Sequence, residues 1–278
     1  MSPRIYAVLV LYKLTPAESS AWQSLQTLAE AMPELCLPSL LVFDNSPQPQ
    51  HLGASALSAE YISDPANTGL TAAYNTALQR AVGGGFEWLL LLDQDTTLTA
   101  EYWSDLLATL PSLPSDVAAV VPQLMEDGVA HSPTQLLRLT HKPVQTAGLL
   151  PQPVTAYNSA AVLRVSALQT TGGFDDRFPM EYADHALFAG LQHKGYALWL
   201  LAAQVPHTLS TAQHLAAVSP ARYAAMLSAE WRYHQAFSTG REKLWYRVRK
   251  LKDVLRRGLK PGGVRLALLE ARALFGLL

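Results

Sequence analysis

Trp88-Leu89-Leu90-Leu91-Leu92-Asp93-Gln94-Asp95 is the stretch from which the fold can be read. Five apolar residues without a polar break predict a strand buried on both faces, as in a parallel sheet covered by helices. Such a strand delivers its last side chains to the carboxyl edge of the sheet, where open α/β sheets bind ligands. Alternation along an extended chain would turn Asp93 and Asp95 to one side and Gln94 away. Two carboxylates so placed suit a divalent cation that completes its shell with water and substrate phosphates. The stretch therefore points to phosphate chemistry.

Working outward, strand and helix signals alternate in the way that builds a parallel sheet through crossover connections. Upstream, Ile5–Leu11 reads as a strand, and Thr15-Pro16-Ala17-Glu18 supplies a cap, a proline at the first helical position and a glutamate three after the cap, opening a helix to about Met32. Leu40–Phe43 is a second strand and Tyr61-Ile62 a third. Ala73, Ala77, Leu78 and Ala81 then recur at helical spacing after Leu70, until Gly83-Gly84-Gly85 stops the helix and links it to the next strand. Downstream follow a helix near Glu101–Leu110, a strand Val117–Val121, a Pro- and Thr-rich stretch to about Pro153, a strand Ala160–Val165 and a short helix Ser166–Thr171. A turn at Gly172-Gly173-Phe174-Asp175, a helix Tyr182–Lys194 ending at Gly195, and a strand Leu198–Leu201 complete this part. From Pro220 onward only helices are expected.

The 278 residues, 49% of them apolar, can bury a large α/β domain with a helical appendage. A single cysteine, Cys36, excludes an internal disulfide framework and a multi-cysteine zinc site, and fits a reducing cytoplasm. The apolar stretch Ile5–Tyr12 is too short to span a bilayer and has no small-residue cleavage site, so no export signal is expected. A net charge of −1 hides an asymmetry: residues 1–220 hold 8 Lys/Arg and 18 Asp/Glu, and residues 221–278 hold 13 and 4. An acidic body with a basic tail suggests that the tail meets anionic lipid, nucleic acid or an acidic protein surface.

Several polar segments fall at strand ends. Asp44-Asn45-Ser46-Pro47 is turn chemistry, yet its position also suits a carboxylate accepting the imide proton of a uracil or thymine. Asn67-Thr68-Gly69 either caps the next helix or sets Asn67 and the first helical amides against a phosphate or ribose. Glu181-Tyr182-Ala183-Asp184-His185 places two acids and an imidazole at a helix start, as first-turn caps or as a general base facing a cleft. His207 follows the last strand and is either a surface histidine or a third metal donor.

Taken in order, these segments resemble glycosyltransferase family 2 with the GT-A fold, and most closely the bacterial rhamnosyltransferases. The resemblance runs from about residue 4 to 210. It rests on Val8–Tyr12, Phe43-Asp44-Asn45-Ser46, Asn67-Thr68-Gly69-Leu70 with Ala73 and Asn75, Leu92-Asp93-Gln94-Asp95, the Gly172-Gly173-Phe174-Asp175 turn, and Glu181 through His185. It implies a GT-A-type, Rossmann-like domain over residues 1–215, with a nucleotide-binding half (about 1–98) and an acceptor half (about 99–215), followed by a basic helical extension over 216–278. It further implies a nucleotide pocket of Tyr12, Asp44, Asn67, Gly69, Asn75, Asp93 and Gln94. A Mg²⁺ or Mn²⁺ ion would sit on Asp93, Asp95 and His207, Asp184 would be the catalytic base, and Glu181 and His185 would meet the acceptor. The implied reaction is inverting transfer of a sugar, rhamnose from dTDP-rhamnose first and UDP sugars second, to a hydroxyl of a glycan or lipid-linked glycan. Such an enzyme would serve polysaccharide and cell-envelope synthesis in the cytoplasm or at the inner face of the membrane, with no nucleic-acid partner. Two departures stand out: Asn158-Ser159-Ala160 replaces the family's Ser-Gly pair, and His185-Ala186 follows the base where an acid and a tryptophan are common.

Leu244, Val248, Leu251 and Leu255 recur at intervals of four, three and four among Arg247, Arg249, Lys250, Lys252, Arg256 and Arg257, and a largely apolar helix follows over Val264–Leu278. This tail either docks on the catalytic domain with its basic face solvated or lies on anionic lipid. Two other functions compete. Asp93-Gln94-Asp95-Thr96-Thr97 fits the Asp-x-Asp-x-Thr element of haloacid dehalogenase-like phosphatases, with Asp93 as nucleophile, although that element belongs on a first core strand. A non-catalytic sugar-nucleotide-binding protein would share the same fold.

Overall fold

The computed structural model describes residues 3–31, 39–52, 57–137, 141–207, 219–259 and 264–277. The expected helix end at Met32, Cys36 and the boundary at residue 215 lie outside these. In chain order the strands are β1 (Ile5–Leu11), β2 (Ser39–Asp44), β3 (Ala59–Ser63), β4 (Trp88–Asp93), β5 (Val117–Glu126), β6 (Val129–Ser132), β7 (Thr134–Leu136), β8 (His141–Pro143), β9 (Gly148–Leu149), β10 (Val154–Thr155), β11 (Val162–Arg164) and β12 (Ala197–Pro206). The helices are α1 (Ser20–Ala31), α2 (Leu70–Gly83), α3 (Ala100–Thr109), α4 (Val165–Thr171), α5 (Ala183–His193), α6 (Pro220–Phe237), α7 (Gly240–Gly258) and α8 (Val264–Leu274).

The main sheet has the order β3-β2-β1-β4-β11-β5-β12-β9, with β6 on β5. β3, β2, β1 and β4 are mutually parallel, β5 and β12 are parallel to each other, and the short β11 runs antiparallel between β4 and β5. The apolar run of β4 is buried on both faces, as its pattern requires. One face packs Val8, Leu89 and Leu91 against α2, α4 and α5, and the other packs Leu9, Leu90 and Leu92 against α1 and α3. Each such leucine contributes roughly 1.5–3 kcal/mol on burial, so this three-layer core holds the strand ends in register.

Local departures from expectation have physical causes. The Thr15 cap forms, with Thr15 N and Oγ1 donating to Glu18 Oε2 at 2.9 and 2.8 Å, but it closes only a 3-10 turn over Pro16–Glu18. The chain leaves helical geometry at Ser19, whose hydroxyl donates to the Gln94 carbonyl at 2.9 Å, and α1 begins at Ser20. A tertiary bond to the Asp93-Gln94-Asp95 turn thus outcompetes the local helix. The Pro- and Thr-rich stretch contains β6 to β9, short and partly exposed strands without a long alternation to betray them, and the buried β10 follows it. β5 and β12 run on to Glu126 and Pro206 because each supplies the other's partner.

The C-terminal helices pack through charge. Glu230 on α6 pairs with Lys250 and, at 3.1 Å, with Arg249 of α7. Glu270 on α8 forms an ion pair with Arg257 at 2.7 Å and accepts from the Tyr223 hydroxyl at 2.5 Å. Of the two readings of the tail, the one in which α7 docks its leucines and solvates its bases does not describe this packing: Tyr246 and Lys250 are buried while Leu244, Leu251 and Leu255 are exposed. Buried Glu230 and Glu270 demand cations, and that demand sets the rotation of α7.

Candidate active site

The carboxyl edge of β1, β2 and β4 gathers the residues singled out from sequence. Asp93 ends β4, and its carboxylate accepts from Ser159 Oγ at 2.6 Å and Tyr74 Oη at 3.3 Å. Tyr74, buried on α2, in turn accepts from Asn158 Nδ2 at 2.5 Å. Sequence reasoning missed all three supports. Ser159 precedes β11, and because β11 is antiparallel to β4, its start lies beside the end of β4. The Asn158-Ser159-Ala160 departure was the signal, but pairing partners are not written in local sequence.

Desolvation raises the Asp93 pKa above the usual carboxylate value. The Ser159 hydrogen bond opposes this, the nearby Asp95 charge adds to it, and His207 and Tyr74 oppose it. Asp95 does not continue the strand, as simple alternation expected. Gln94 and Asp95 form a turn closed by Thr96 N donating to Asp93 O at 3.1 Å, and the turn keeps Asp95 within the field of Asp93. Gln94 Oε1 accepts from Tyr12 N at 2.8 Å and locks the ends of β1 and β4 together. Tyr12 itself is 41% exposed, an aromatic face at the edge of the sheet suited to stacking on a base.

Four other placements change roles. Asp44 is fully buried; its Oδ1 accepts from Ser46 N at 2.9 Å, and its Oδ2 from Gln50 N at 2.9 Å and Tyr61 Oη at 2.6 Å. Burial disfavours its charge, but the hydrogen bonds from Ser46, Tyr61 and Gln50 outweigh burial and hold the carboxyl below its usual range. Asp44 thus organises its own loop, and its geometry supports the turn reading over imide recognition. Gly69 (φ 105°) is packed against Pro179. Leu70 N and Thr71 N at the start of α2 donate to Pro179 O at 2.7 and 3.3 Å, and a Cβ on Gly69 would lie 2.3 Å from that oxygen. The first two helical amides are therefore taken by Pro179.

Asn75 is likewise a clip: its Oδ1 accepts from Phe174 N at 2.8 Å and its Nδ2 donates to Phe174 O at 2.9 Å, fixing the Gly-Gly-Phe-Asp turn onto α2. Glu181 is paired with Arg222 of α6 at 3.1 Å, which tethers the C-terminal helices.

What remains is consistent with a binding edge. Asn45 Oδ1, Asn67 Oδ1, Thr96 Oγ1 and His207 Nδ1 are buried side-chain atoms without a hydrogen-bond partner among the described residues. Each follows closely on the carboxyl end of a parallel strand: β2, β3, β4 and β12. Unpaired buried polar atoms are rare and costly, and these four on one edge suit a polar ligand; elsewhere, Trp103 Nε1, Tyr246 Oη, Arg257 Nε and Glu270 Oε2 also lack a hydrogen-bond partner among the described residues. Asn67 also sits at φ 51°, held by Asn67 N donating to Asp64 O at 2.9 Å.

Asp184 lies in the first turn of α5, with Oδ1 accepting from His185 N at 2.7 Å. Burial pushes the Tyr74 hydroxyl well above its ordinary pKa, and the Asp93 and Asp184 charges both add to that shift, so Tyr74 lies in the field of both carboxylates. Tyr182, just before α5, takes φ 66°, a strained geometry for an aromatic residue. It is held by ring contacts with His185 at 4.8 Å and with Tyr233 of α6 at 5.6 Å, while His185 Nδ1 bonds Thr155 Oγ1 at 2.7 Å.

A divalent cation fits this edge in part. Among the described residues no three His, Cys, Asp or Glu side chains converge on one point, so the expected ligand set Asp93, Asp95 and His207 is not assembled as a triad. The mutual repulsion of Asp93 and Asp95, however, is what a cation would relieve. The residues suit an ion that takes its other ligands from water and a diphosphate.

Fold and edge together define a GT-A-type α/β domain with a polar carboxyl edge at the ends of β1, β2 and β4. The family model "Glycosyl transferase family 2" matches residues 37–172, from just before β2 to the end of α4, leaving Asp184 and His207 beyond the matched segment. Among solved structures, S. aureus TarS 1-349 in complex with UDP-GlcNAc superposes with a TM-score of 0.50 at 12% identity, covering 87% of this chain and 70% of that one. A second crystal structure of TarS 1-349 gives 0.48 at 13% identity, covering 99% and 89%. No curated protein sequence matches the chain.

Proposed function

We propose that this protein is an inverting glycosyltransferase that moves a sugar from a nucleoside diphosphate donor to an acceptor hydroxyl. The observation that carries the reading is the edge itself, with the supported Asp93 beside Asp95, unpaired acceptors on three neighbouring loops, and Asp184 across Tyr74. The family match over residues 37–172 supports the same chemistry. In this reading Tyr12 stacks on the base, Asn45 and Asn67 supply acceptors for base or ribose, and Asp93 with Asp95 holds the diphosphate side. A divalent ion on those carboxylates would neutralise charge on the departing diphosphate. Asp184 removes the acceptor hydroxyl proton while that oxygen bonds to the anomeric carbon from the face opposite the diphosphate, whose oxygen leaves with the bonding pair. His185, fixed by Thr155, lines the acceptor side. No observation favours the phosphatase reading.

The first donor proposed is dTDP-rhamnose, with UDP sugars second; UDP-GlcNAc belongs in the screen because a structural neighbour was crystallised with it. The acceptor proposed is a glycan or lipid-linked glycan. Binding to the folded state raises the melting temperature by mass action, so a thermal-shift screen with Mg²⁺ or Mn²⁺ ranks the donors. Asp184→Asn is expected to abolish transfer while calorimetry with dTDP or UDP finds unchanged affinity. Full transfer by Asp184→Asn would remove it as the base.

A further inference from the structure

We propose that the outward face of α7 is an attachment site for an anionic lipid surface, with the helix lying in the plane of the interface. Leu244, Leu251 and Leu255 are 60%, 52% and 60% exposed, and Val248 lies between them on the same stripe. This is the helix's apolar face, and it faces away from the protein, because Tyr246 and Lys250 are buried on the opposite side and Arg249 and Arg257 reach Glu230 and Glu270 there. Helices of folded domains bury their apolar stripe, and an inverted one leaves that surface for something else to cover.

Charge identifies the occupant. At 100° per residue, Arg247 flanks the leucine stripe on one side and Arg241 and Lys252 on the other; all three are exposed and none forms a salt bridge among the described residues. α8 repeats the arrangement, exposing Val264, Leu268 and Phe275 beside Arg265 and Arg272. An apolar stripe flanked by bases matches acyl chains below and anionic headgroups around them. A second copy would bring the same bases face to face, which disfavours a symmetric pair. The acidic body, repelled by the same surface, would turn the tail toward it. No described helix is long and apolar enough to cross a bilayer, so attachment is interfacial. Arg222–Glu181 and Tyr233–Tyr182 tie the neighbouring α6 to the loop before Asp184, which would hold that loop near the lipid surface.

The inference stands apart from the transferase reading, since lipid binding needs no donor. The test is co-sedimentation of the full chain with vesicles of phosphatidylcholine alone or with equimolar phosphatidylglycerol. Binding is expected to the anionic vesicles and to weaken with salt. Arg241→Gln, Arg247→Gln and Lys252→Gln should each weaken it about five-fold, and Leu251→Ser or Leu255→Ser about tenfold. These side chains are exposed, so each variant should melt like the parent. Failure to bind anionic vesicles, or binding unchanged by the leucine substitutions, overturns the proposal. So does light scattering that shows a dimer lost in the leucine variants, which assigns the face to a second copy.

Discussion

Gly69→Ala tests whether this glycine serves the nucleotide or the fold. An alanine Cβ would sit 2.3 Å from the Pro179 oxygen, a contact that backbone atoms cannot tolerate, at a φ of 105°. The positive φ costs roughly 1–2 kcal/mol for a residue with a Cβ. Moving the carbonyl away weakens two hydrogen bonds, from Leu70 N and Thr71 N, each worth about 0.5–1.5 kcal/mol. The sum is roughly 2–5 kcal/mol, or a fall in melting temperature of roughly 4–20 °C for a chain of this size. Gly83→Ala, in the same helix with nothing within 4 Å of its Cβ, is the control and should stabilise by about 0.5–1 kcal/mol. Urea denaturation of both variants measures the difference. Pro179 lies five residues before Asp184, so transfer should fall in Gly69→Ala along with stability. A Gly69→Ala protein that melts like the parent but binds dTDP and UDP weakly would restore Gly69 to the nucleotide pocket and refute the argument.

Other outcomes follow from the same structure. The folded-state pKa of Asp93 is raised, so its ionisation costs stability as pH rises from the unfolded value through the folded one; Asp93→Asn should remove that slope from the ligand-free melting curve and abolish Mg²⁺-dependent nucleotide binding, both read by thermal shift. His234 has the opposite sensitivity. Burial, helped by Arg249, Lys250 and two further histidines, lowers its pKa from 6.5 to about 3. The unfolded chain therefore takes up a proton that the folded chain refuses, and stability is lost as pH falls below about 6.5, at up to about 1.4 kcal/mol per unit. His234→Gln should flatten the dependence of the melting temperature between pH 6.5 and 5, and an unchanged curve would place the acid sensitivity elsewhere.

The sequence by itself determined the layers and the edge. An unbroken apolar run in β4 reads as a strand covered on both faces, and the helices α2 and α5 on one face and α1 and α3 on the other supply the covers. The strand ends then had to carry Tyr12, Asn45, Asn67, Asp93 and His207, because chain direction in a parallel sheet leaves no other rim for them. Tertiary structure decided what each polar group does there. Asp44, Gly69, Asn75 and Glu181 look like ligand residues in one dimension, but each has its bonds taken by a residue distant in sequence or in its own loop. Ser159 and Asn158 gained their roles only when β11 paired antiparallel with β4. The tail shows the same limit in reverse. Local periodicity marked its leucine stripe correctly, yet which side of α7 turned inward was set by Glu230 and Glu270 on other helices, since a buried carboxylate without a cation costs more than an exposed leucine.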